Sequence, residues 1–233
     1  MPASQPFTAG TRERVAVIAR AIEPVLKQVV LAGPPVVELL LTDPAAVGSA
    51  ASFAADAVLT LLSTAMTDRL GIELQKRGFT RSARTADGDQ WDLAGVGAVR
   101  LVHVQTEGDA ADVWAEYATL LTLPIAIDEQ LTVRIAGAPA VLALELAAFA
   151  RRGRNAFASA ELERIITLVV GRPELGRECA ASPPELRTFI SAELVLLLRN
   201  DGLAYAVERA IPDAAILPAI VDRVEERLRS AIC

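Results

Sequence analysis

The sequence predicts an α/β (α+β) protein: a mixed α/β half over about residues 1–137, followed by an all-helical half over 138–233. Two observations predict this division. Before residue 138, apolar runs of strand length alternate with amphipathic stretches of helix length, and Gly, Pro and Asp turns separate them. After it, apolar residues recur at spacings of three and four. No linker rich in Gly, Pro or Ser divides the halves, so we expect the helical region to pack on a small mixed sheet.

The first elements alternate between helix and strand. Residues 11–28 have helical periodicity, and "VVLAG" (29–33) is a short buried strand that ends at a glycine. "PPVVELLL" (34–41) is a helix start, because prolines fit the first helical turn. "AADAVLTLL" (54–62) is strand-like, and the helix that follows ends at Gly78.

The later elements change from strands to helices. Turn signals divide residues 79–105 into three strands, and the helix after them (109–121) leads into two more strands. All further periodicity is helical, and two helix starts have cap signals: Ser159, and a capping box from Ser182 to Glu185. The predicted tail helices cover 138–153, 159–171, 182–200 and 214–232.

The composition excludes several function classes. Of the 233 residues, 52% are hydrophobic and 22% are charged, which is typical of a globular protein. A formal net charge of −6 gives no basic footprint for nucleic acid. Cys179 and Cys233 are too few for a disulfide framework or a cysteine metal site. The chain has no apolar run of signal-peptide or membrane-spanning type, so we expect a cytoplasmic protein without membrane contact.

The order helix, strand, glycine turn, helix, strand, helix, small sheet and helical tail resembles the nucleotidyltransferase fold. Three segments (37–44, 131–149 and 163–175) are also similar to parts of a bacterial nucleotidyltransferase-like family, related to the AbiEii-type toxins and the minimal nucleotidyltransferases. The resemblance covers residues 29–200 in order. It implies a nucleotidyltransferase-like sheet flanked by helices, and transfer of a nucleoside monophosphate from an NTP with two divalent metal ions that clamp the reacting oxygens.

The resemblance also implies site residues, and the chain departs from them at several positions. Where the family has a glycine pair that lets the backbone approach a triphosphate, this chain has Gly33 and Pro34, and proline has no N–H to donate. Of the family's Asp-x-Asp pair, which places two carboxylates on one face of a strand, only Asp56 is kept. Val102 stands in place of the third acid, and Glu145 in place of a lysine on the first tail helix.

Few residues remain as site candidates. Asp56 is the candidate metal ligand, and we interpret it as vestigial because one carboxylate is a poor site for two Mg²⁺ ions. Gly33, Arg151 and Arg152 are candidates for contact with a nucleotide phosphate. A strand-to-helix turn explains Gly33 equally, and a helix C-terminus explains the arginines.

Other polar and aromatic residues have more ordinary explanations. His103, the only histidine, is expected to be structural or to lie at the surface. Glu145 is flanked by apolar residues, and we expect it to pair with an arginine such as Arg100 or Arg134, since a buried charge is costly without a partner. The alternative is an acid that lines a cleft and binds a cationic ligand. Trp91 and Trp114 could stack on a base, but we expect both in the core.

These observations predict a pseudo-nucleotidyltransferase that has lost catalysis and binds a protein partner or a nucleotide, with no cofactor. One alternative is an active enzyme that uses Mg²⁺ and an NTP to modify RNA, a protein or a small molecule, as in toxin–antitoxin systems. It needs a second carboxylate near Asp56, from Glu38 or Glu107. Another alternative is a structural protein that forms a homo-oligomer through its tail helices.

Overall fold

The computed structural model describes residues 9–43, 58–65, 67–85, 88–105, 112–211 and 217–232. These residues form two compact units. An α/β unit lies within 7–39 and 53–137, and a helical unit lies within 1–6, 40–52 and 138–233. No helix in the described ranges is both long enough and apolar enough to span a bilayer.

The first predicted helix is divided in two. The single helix predicted over 11–28 is wrong, because α1 ends at Ala21 and a separate turn of helix follows. Pro24 has no N–H, and its ring would clash with the carbonyl four residues earlier, so α1 cannot continue past this point. Helices in this part of the chain are α1 (Ala9–Ala21), α2 (Glu23–Leu26), α3 (Pro34–Leu40), α4 (Thr67–Lys76) and α5 (Val113–Leu120).

The α/β unit is built on a mixed sheet with the strand order β3-β4-β5-β2-β1-β7-β6. The β2–β5 and β1–β7 pairs are parallel, and the other neighbouring pairs are antiparallel. This confirms the predicted mixed sheet flanked by helices. The strands are β1 (Val30–Ala32), β2 (Leu59–Ser63), β3 (Thr80–Thr85), β4 (Gly88–Leu93), β5 (Gly97–His103), β6 (Thr122–Ala126) and β7 (Thr132–Ala136).

The register of the central strands determines which side chains share a face of the sheet. Thr60 of β2 pairs with Arg100 of β5, which pairs with Gln90 of β4. Because side chains alternate between the two faces along a strand, these three lie in one row, and Val102 lies on the same face of β5. Thr60, Gln90, Arg100 and Val102 are each half-buried. We name this side of the sheet the Arg100 face.

The opposite face of these strands is covered by α4. Trp91 of β4 is only 2% exposed, which confirms its predicted place in the core. Trp114 of α5 is only half-buried and stacks on Tyr117, so its predicted place in the core is wrong. A Cβ atom on Gly71 of α4 would lie 2.9 Å from the Trp91 ring, so a glycine is needed where helix and sheet approach each other. The Arg81 guanidinium lies 5.3 Å from the Trp91 ring centroid, in a cation–π contact.

The helical unit confirms the predicted helical C-terminal region. Helices α6 and α7 pack together through fully buried apolar side chains such as Leu142, Leu146, Ile165 and Leu168. Burial of such side chains is the main stabilising contribution in a unit of this kind. The helices are α6 (Ala138–Arg151), α7 (Ala160–Gly171), α8 (Leu175–Ala180), α9 (Pro184–Leu198), α10 (Leu203–Ala210) and α11 (Leu217–Ser230).

One of the two predicted cap signals is confirmed and the other is wrong. Ser159 caps α7, with its Oγ accepting a hydrogen bond from the Leu162 N–H at 3.3 Å. The capping box predicted at Ser182 does not form, because α9 begins at Pro184 and its N-cap residue is Pro183. The Ser182 hydroxyl instead donates to the Glu178 carbonyl of the preceding helix at 2.9 Å.

Candidate functional site

The turn between β1 and α3 is a glycine turn, as predicted. Gly33 has a φ of +86°, and a Cβ atom there would lie 2.9 Å from Thr60 Oγ1 and 3.2 Å from the Val58 carbonyl oxygen. Both the backbone conformation and the space therefore require glycine. The helix that follows begins with Pro34 and Pro35, which have no N–H groups, and the Val36 N–H donates to the Gly33 carbonyl at 2.9 Å.

Of the acids that the sequence suggests as metal ligands, only Glu38 lies in the described part of the chain. Asp56 and Glu107 lie outside the described residues. Glu38 is fully buried, and its Oε2 accepts a hydrogen bond from the Thr11 hydroxyl at 2.6 Å. In the ranges that are described, no three His, Cys, Asp or Glu side chains are grouped as a metal site would need.

The described residues therefore do not fit a two-metal centre. Mg²⁺ requires a near-octahedral shell of oxygen ligands, supplied in such enzymes by several carboxylates and the substrate phosphates. Val102 contributes no ligand atom, and Glu38 is held by Thr11 inside the unit.

Arg100 is a charged residue of the Arg100 face, and it has no partner among the described residues. It lies on β5, between β4 and β2, and is half-buried. Within the described ranges, no hydrogen bond or ion pair engages its guanidinium. The expected pairing of Glu145 with an arginine is confirmed, but its partner is Arg164 and not Arg100 or Arg134. Arg134 donates to the Lys27 carbonyl at 2.7 Å.

Around Arg100 the face presents mainly uncharged polar and apolar groups. The Thr60 hydroxyl and the Gln90 amide lie beside it in the same row of the sheet. Asp92 follows Gln90 by two residues on β4, so its carboxylate is on the same face, but it makes no ion pair with Arg100. His103 lies on the other face and is exposed, with Nδ1 3.1 Å from the Ala65 carbonyl oxygen, which confirms its predicted surface position.

A second group of charges lies on α6, on the turn directly after it and on α7 of the helical unit. Glu145 Oε2 accepts a hydrogen bond from Arg164 Nη2 at 2.8 Å, and Arg152 Nε lies 3.0 Å from Glu161 Oε1. We name Glu145, Arg152, Glu161 and Arg164 the α6–α7 cluster. Two buried atoms in it, Glu161 Oε2 and Arg164 Nε, have no hydrogen-bond partner among the described residues.

The pKa values of the two carboxyl groups in this cluster are shifted in opposite directions. Burial raises the pKa of Glu145 above its ordinary value, although the Arg164 charge and hydrogen bond act against the shift. Burial also acts to raise the pKa of Glu161. Its own backbone N–H, together with Arg152 and Arg164, outweighs burial, so that pKa is lowered. The cluster thus holds one carboxyl that resists ionisation and one that favours it.

The arginines near the end of α6 are placed differently from one another. Arg151 is the last residue of the helix and is exposed, while Arg152 faces Glu161. Gly153 has a φ of +93°, which is the left-handed conformation expected just after a helix. Arg154 makes a bidentate pair with Glu193, at 2.9 and 2.6 Å. Phosphate binding by Arg151, Arg152 and Gly33 stays a prediction.

Sequence reasoning missed Arg100 as a functional candidate and missed Arg164 as the partner of Glu145. The signal for Arg100 was present in "AVRLVHV", where one arginine interrupts alternating apolar residues of a strand. A charge in that position needs a partner, solvent or a ligand. Arg164 lies one helix away from Glu145, and only the packing of α6 on α7 brings the two together.

Comparisons with known proteins give a similarity of structure but none of sequence. No protein-family model matches it, and no curated protein sequence matches it. Among solved structures, it is similar to an antigenic nucleotidyltransferase-like protein from Paracoccidioides brasiliensis, with 14% identity over 93% of this chain and 94% of that chain. The TM-score is 0.46. A similarity of this size supports no statement about the family or the activity of this chain.

Proposed function

We propose that this chain is a nucleotidyltransferase-type scaffold, of the AbiEii-like kind that its sequence segments resemble, which binds a nucleotide or a protein partner and has lost nucleotidyl transfer. The observation that carries the proposal is the β1–α3 turn. An active turn needs backbone N–H groups that approach the triphosphate. Here Pro34 and Pro35 remove two of the first N–H groups of α3, and the Val36 N–H is bonded to Gly33.

The metal side of the reaction is also unsupported by the described residues. Two-metal transfer requires carboxylates on neighbouring strands that share both ions. Val102 is apolar, Arg100 adds a positive charge two residues away on the same face, and Glu38 is occupied by Thr11. A guanidinium on that face raises the electrostatic cost of a second cation.

The proposal is tested by thermal unfolding of the full chain with each NTP, with and without Mg²⁺, together with a transfer assay that uses labelled NTP. A ligand that binds only the native state raises its stability. We expect no labelled product, and no unfolding shift that requires Mg²⁺. A shift without Mg²⁺ identifies a nucleotide-binding protein, and no shift with any nucleotide identifies a protein that acts through a partner.

Two variants make the test specific. Asp56→Ala removes the one acid kept from the family's pair, and Asp222→Ala removes an exposed acid of α11 with the same change of net charge. We expect both variants to match the native chain in every nucleotide condition. A Mg²⁺-dependent shift or labelled product that Asp56→Ala abolishes and Asp222→Ala keeps would overturn the proposal in favour of the active enzyme.

A further inference from the structure

We propose that the Arg100 face binds a phosphate-type oxyanion directly, through Arg100, Thr60 and Gln90, without a divalent metal ion. The inference deepens the proposed function and rests on it, since an active nucleotidyltransferase would bind the phosphates of its NTP through metal ions at this face. It names the chemistry of the ligand: a polyphosphate, free or as part of a nucleotide.

The first step is the uncompensated charge of Arg100. Burial of a charge is costly without a partner, so a half-buried arginine in a central strand is normally paired. Arg100 has no partner within the described part of the chain. All other arginines there that are not exposed have one: Arg12, Arg14, Arg77, Arg164, Arg172, Arg187 and Arg227.

The second step is the set of donors around that charge. Directly paired residues of neighbouring strands have Cβ atoms about 5 Å apart. Thr60 and Gln90 flank Arg100 at this spacing on either side, and each has a donor group, a hydroxyl or an amide NH₂. A guanidinium binds two phosphate oxygens at once, and its two neighbours are placed to bind further oxygens of a chain of phosphates.

The third step is the character of the described residues that neighbour Arg100 on its own strand. Val102 on β5 and Ala98, which pairs with Asp92, are apolar or small, so neither offers a hydrogen bond or a charge that competes with an anion for Arg100. The Asp92 carboxylate is the opposing charge on the face. It is not paired with Arg100, and it repels an anion bound there, so it sets an upper limit on the affinity.

The experiment measures binding of tripolyphosphate to the full chain by isothermal titration calorimetry, in EDTA and in excess Mg²⁺. We expect binding in EDTA and weaker binding in Mg²⁺, because Mg²⁺ neutralises the ligand. Arg100→Gln is expected to lower the affinity by about tenfold or more, the usual effect of losing hydrogen bonds to a charged group. Arg100→Lys, which keeps the charge without the planar fork, is expected to lose less.

Two further variants serve as controls. Arg84→Gln makes the same charge change at an exposed residue of β3 and is expected to bind like the native chain. Asp92→Asn removes the opposing charge and is expected to raise the affinity by about two- to fivefold. If Arg100→Gln is not folded, as judged by its unfolding transition, Arg100→Lys and Asp92→Asn still decide the proposal.

Competition experiments test whether the site recognises the phosphates and not the nucleoside. ATP and tripolyphosphate are expected to compete and to share the loss in Arg100→Gln, whereas adenosine, which has no charge, is not expected to compete. Native-like binding by Arg100→Gln, a requirement for Mg²⁺, or competition by adenosine would each overturn the oxyanion site. If the oxyanion site is overturned but the transfer assay gives no labelled product, the proposed function still holds. A labelled product in the transfer assay overturns the proposed function itself.

Discussion

The α6–α7 cluster and the Arg100 face differ in whether their charged side chains have oppositely charged partners. In the cluster, Glu145 is paired with Arg164 and Glu161 with Arg152, so each carboxylate has an oppositely charged partner inside the unit. On the Arg100 face, one guanidinium is half-buried without an opposite charge bonded to it among the described residues. The cluster has the arrangement of a structural ion network, and the face has the arrangement of a binding surface.

The difference teaches how to separate structural charges from functional ones in this chain. A buried charge that is retained without compensation lowers stability, and such costs persist where a ligand supplies the missing partner. The same kind of substitution should therefore have opposite consequences in the two regions. Arginine to methionine removes a guanidinium and keeps an unbranched side chain, so it can be applied to both.

The largest effect is expected in the cluster. Arg164→Met leaves Glu145 buried without its partner, and we expect a loss of about 3–5 kcal/mol in the free energy of unfolding at neutral pH. Urea unfolding followed by circular dichroism measures this. The loss should shrink as the pH falls, because protonation removes the buried negative charge.

The control for this prediction is the double variant Glu145→Leu, Arg164→Met. Replacing a whole buried ion pair by apolar residues is often neutral or stabilising, so most of the loss should be recovered. A single variant as stable as the native chain would show that the pair is not structural, and the comparison between the two regions would fail.

The next effect is expected at the Gly33 turn, beside the Arg100 face. Gly33→Ala combines a left-handed backbone with a close approach to Thr60 Oγ1, and we expect a loss of about 1–3 kcal/mol in urea unfolding. Gly95→Ala and Gly10→Ala are the controls. Gly95 has a φ of +75° but open space where a Cβ would lie, and Gly10 has open space and no positive φ. The losses should decrease in that order, and equal losses at Gly33 and Gly95 would remove the role assigned to Thr60.

A pH dependence is expected from Glu145. Its pKa in the folded state lies above the ordinary value, so the carboxyl is neutral in both states at low pH and its ionisation opposes folding as the pH rises. Glu145→Gln keeps an acceptor for Arg164 without this ionisation. The variant should gain stability relative to the native chain between about pH 4 and pH 7, starting at the ordinary carboxyl pKa. Urea midpoints across that range measure it, and a relative gain by the native chain would contradict the raised pKa.

The sequence was sufficient to predict most of the fold, because the signals involved are local. Alternating apolar residues indicate β5, and two prolines begin α3. Gly78, with a left-handed backbone, follows the end of α4. Errors arose where two local signals compete. Periodicity continues through Pro24, but the missing N–H ends the helix there.

The candidate site was less predictable, because its properties depend on pairing between distant segments. Val102 and the Gly33–Pro34 turn were identified as departures from the sequence alone. The row formed by Thr60, Arg100 and Gln90 exists only through the parallel pairing of β2 with β5 and the antiparallel pairing of β4 with β5. Neither register can be deduced from residue order.

A smaller effect is expected at the start of α7, the helix that contributes Arg164 to the cluster. Ser159→Ala removes the N-cap acceptor of the Leu162 N–H, and we expect a loss of about 1 kcal/mol. Ser182→Ala is the matched control, since that serine does not cap α9 and only donates to the Glu178 carbonyl. Urea unfolding of the pair measures the difference, and an equal loss at Ser182 would restore the capping box that the sequence suggests.

The smallest effect, and the one that completes the comparison, is expected for Arg100→Met. Removing a half-buried charge that has no bonded partner should leave the free energy of unfolding unchanged or raise it by up to about 1 kcal/mol, as is common where a functional residue is replaced by one that suits the fold. Urea unfolding without ligand measures this, next to Arg164→Met under the same conditions. Added tripolyphosphate should stabilise the native chain but not the Arg100→Met variant, because only the folded native chain binds this ligand. A loss as large as that of Arg164→Met would mean that Arg100 has a structural partner, and the face would then be a second ion network rather than a binding surface.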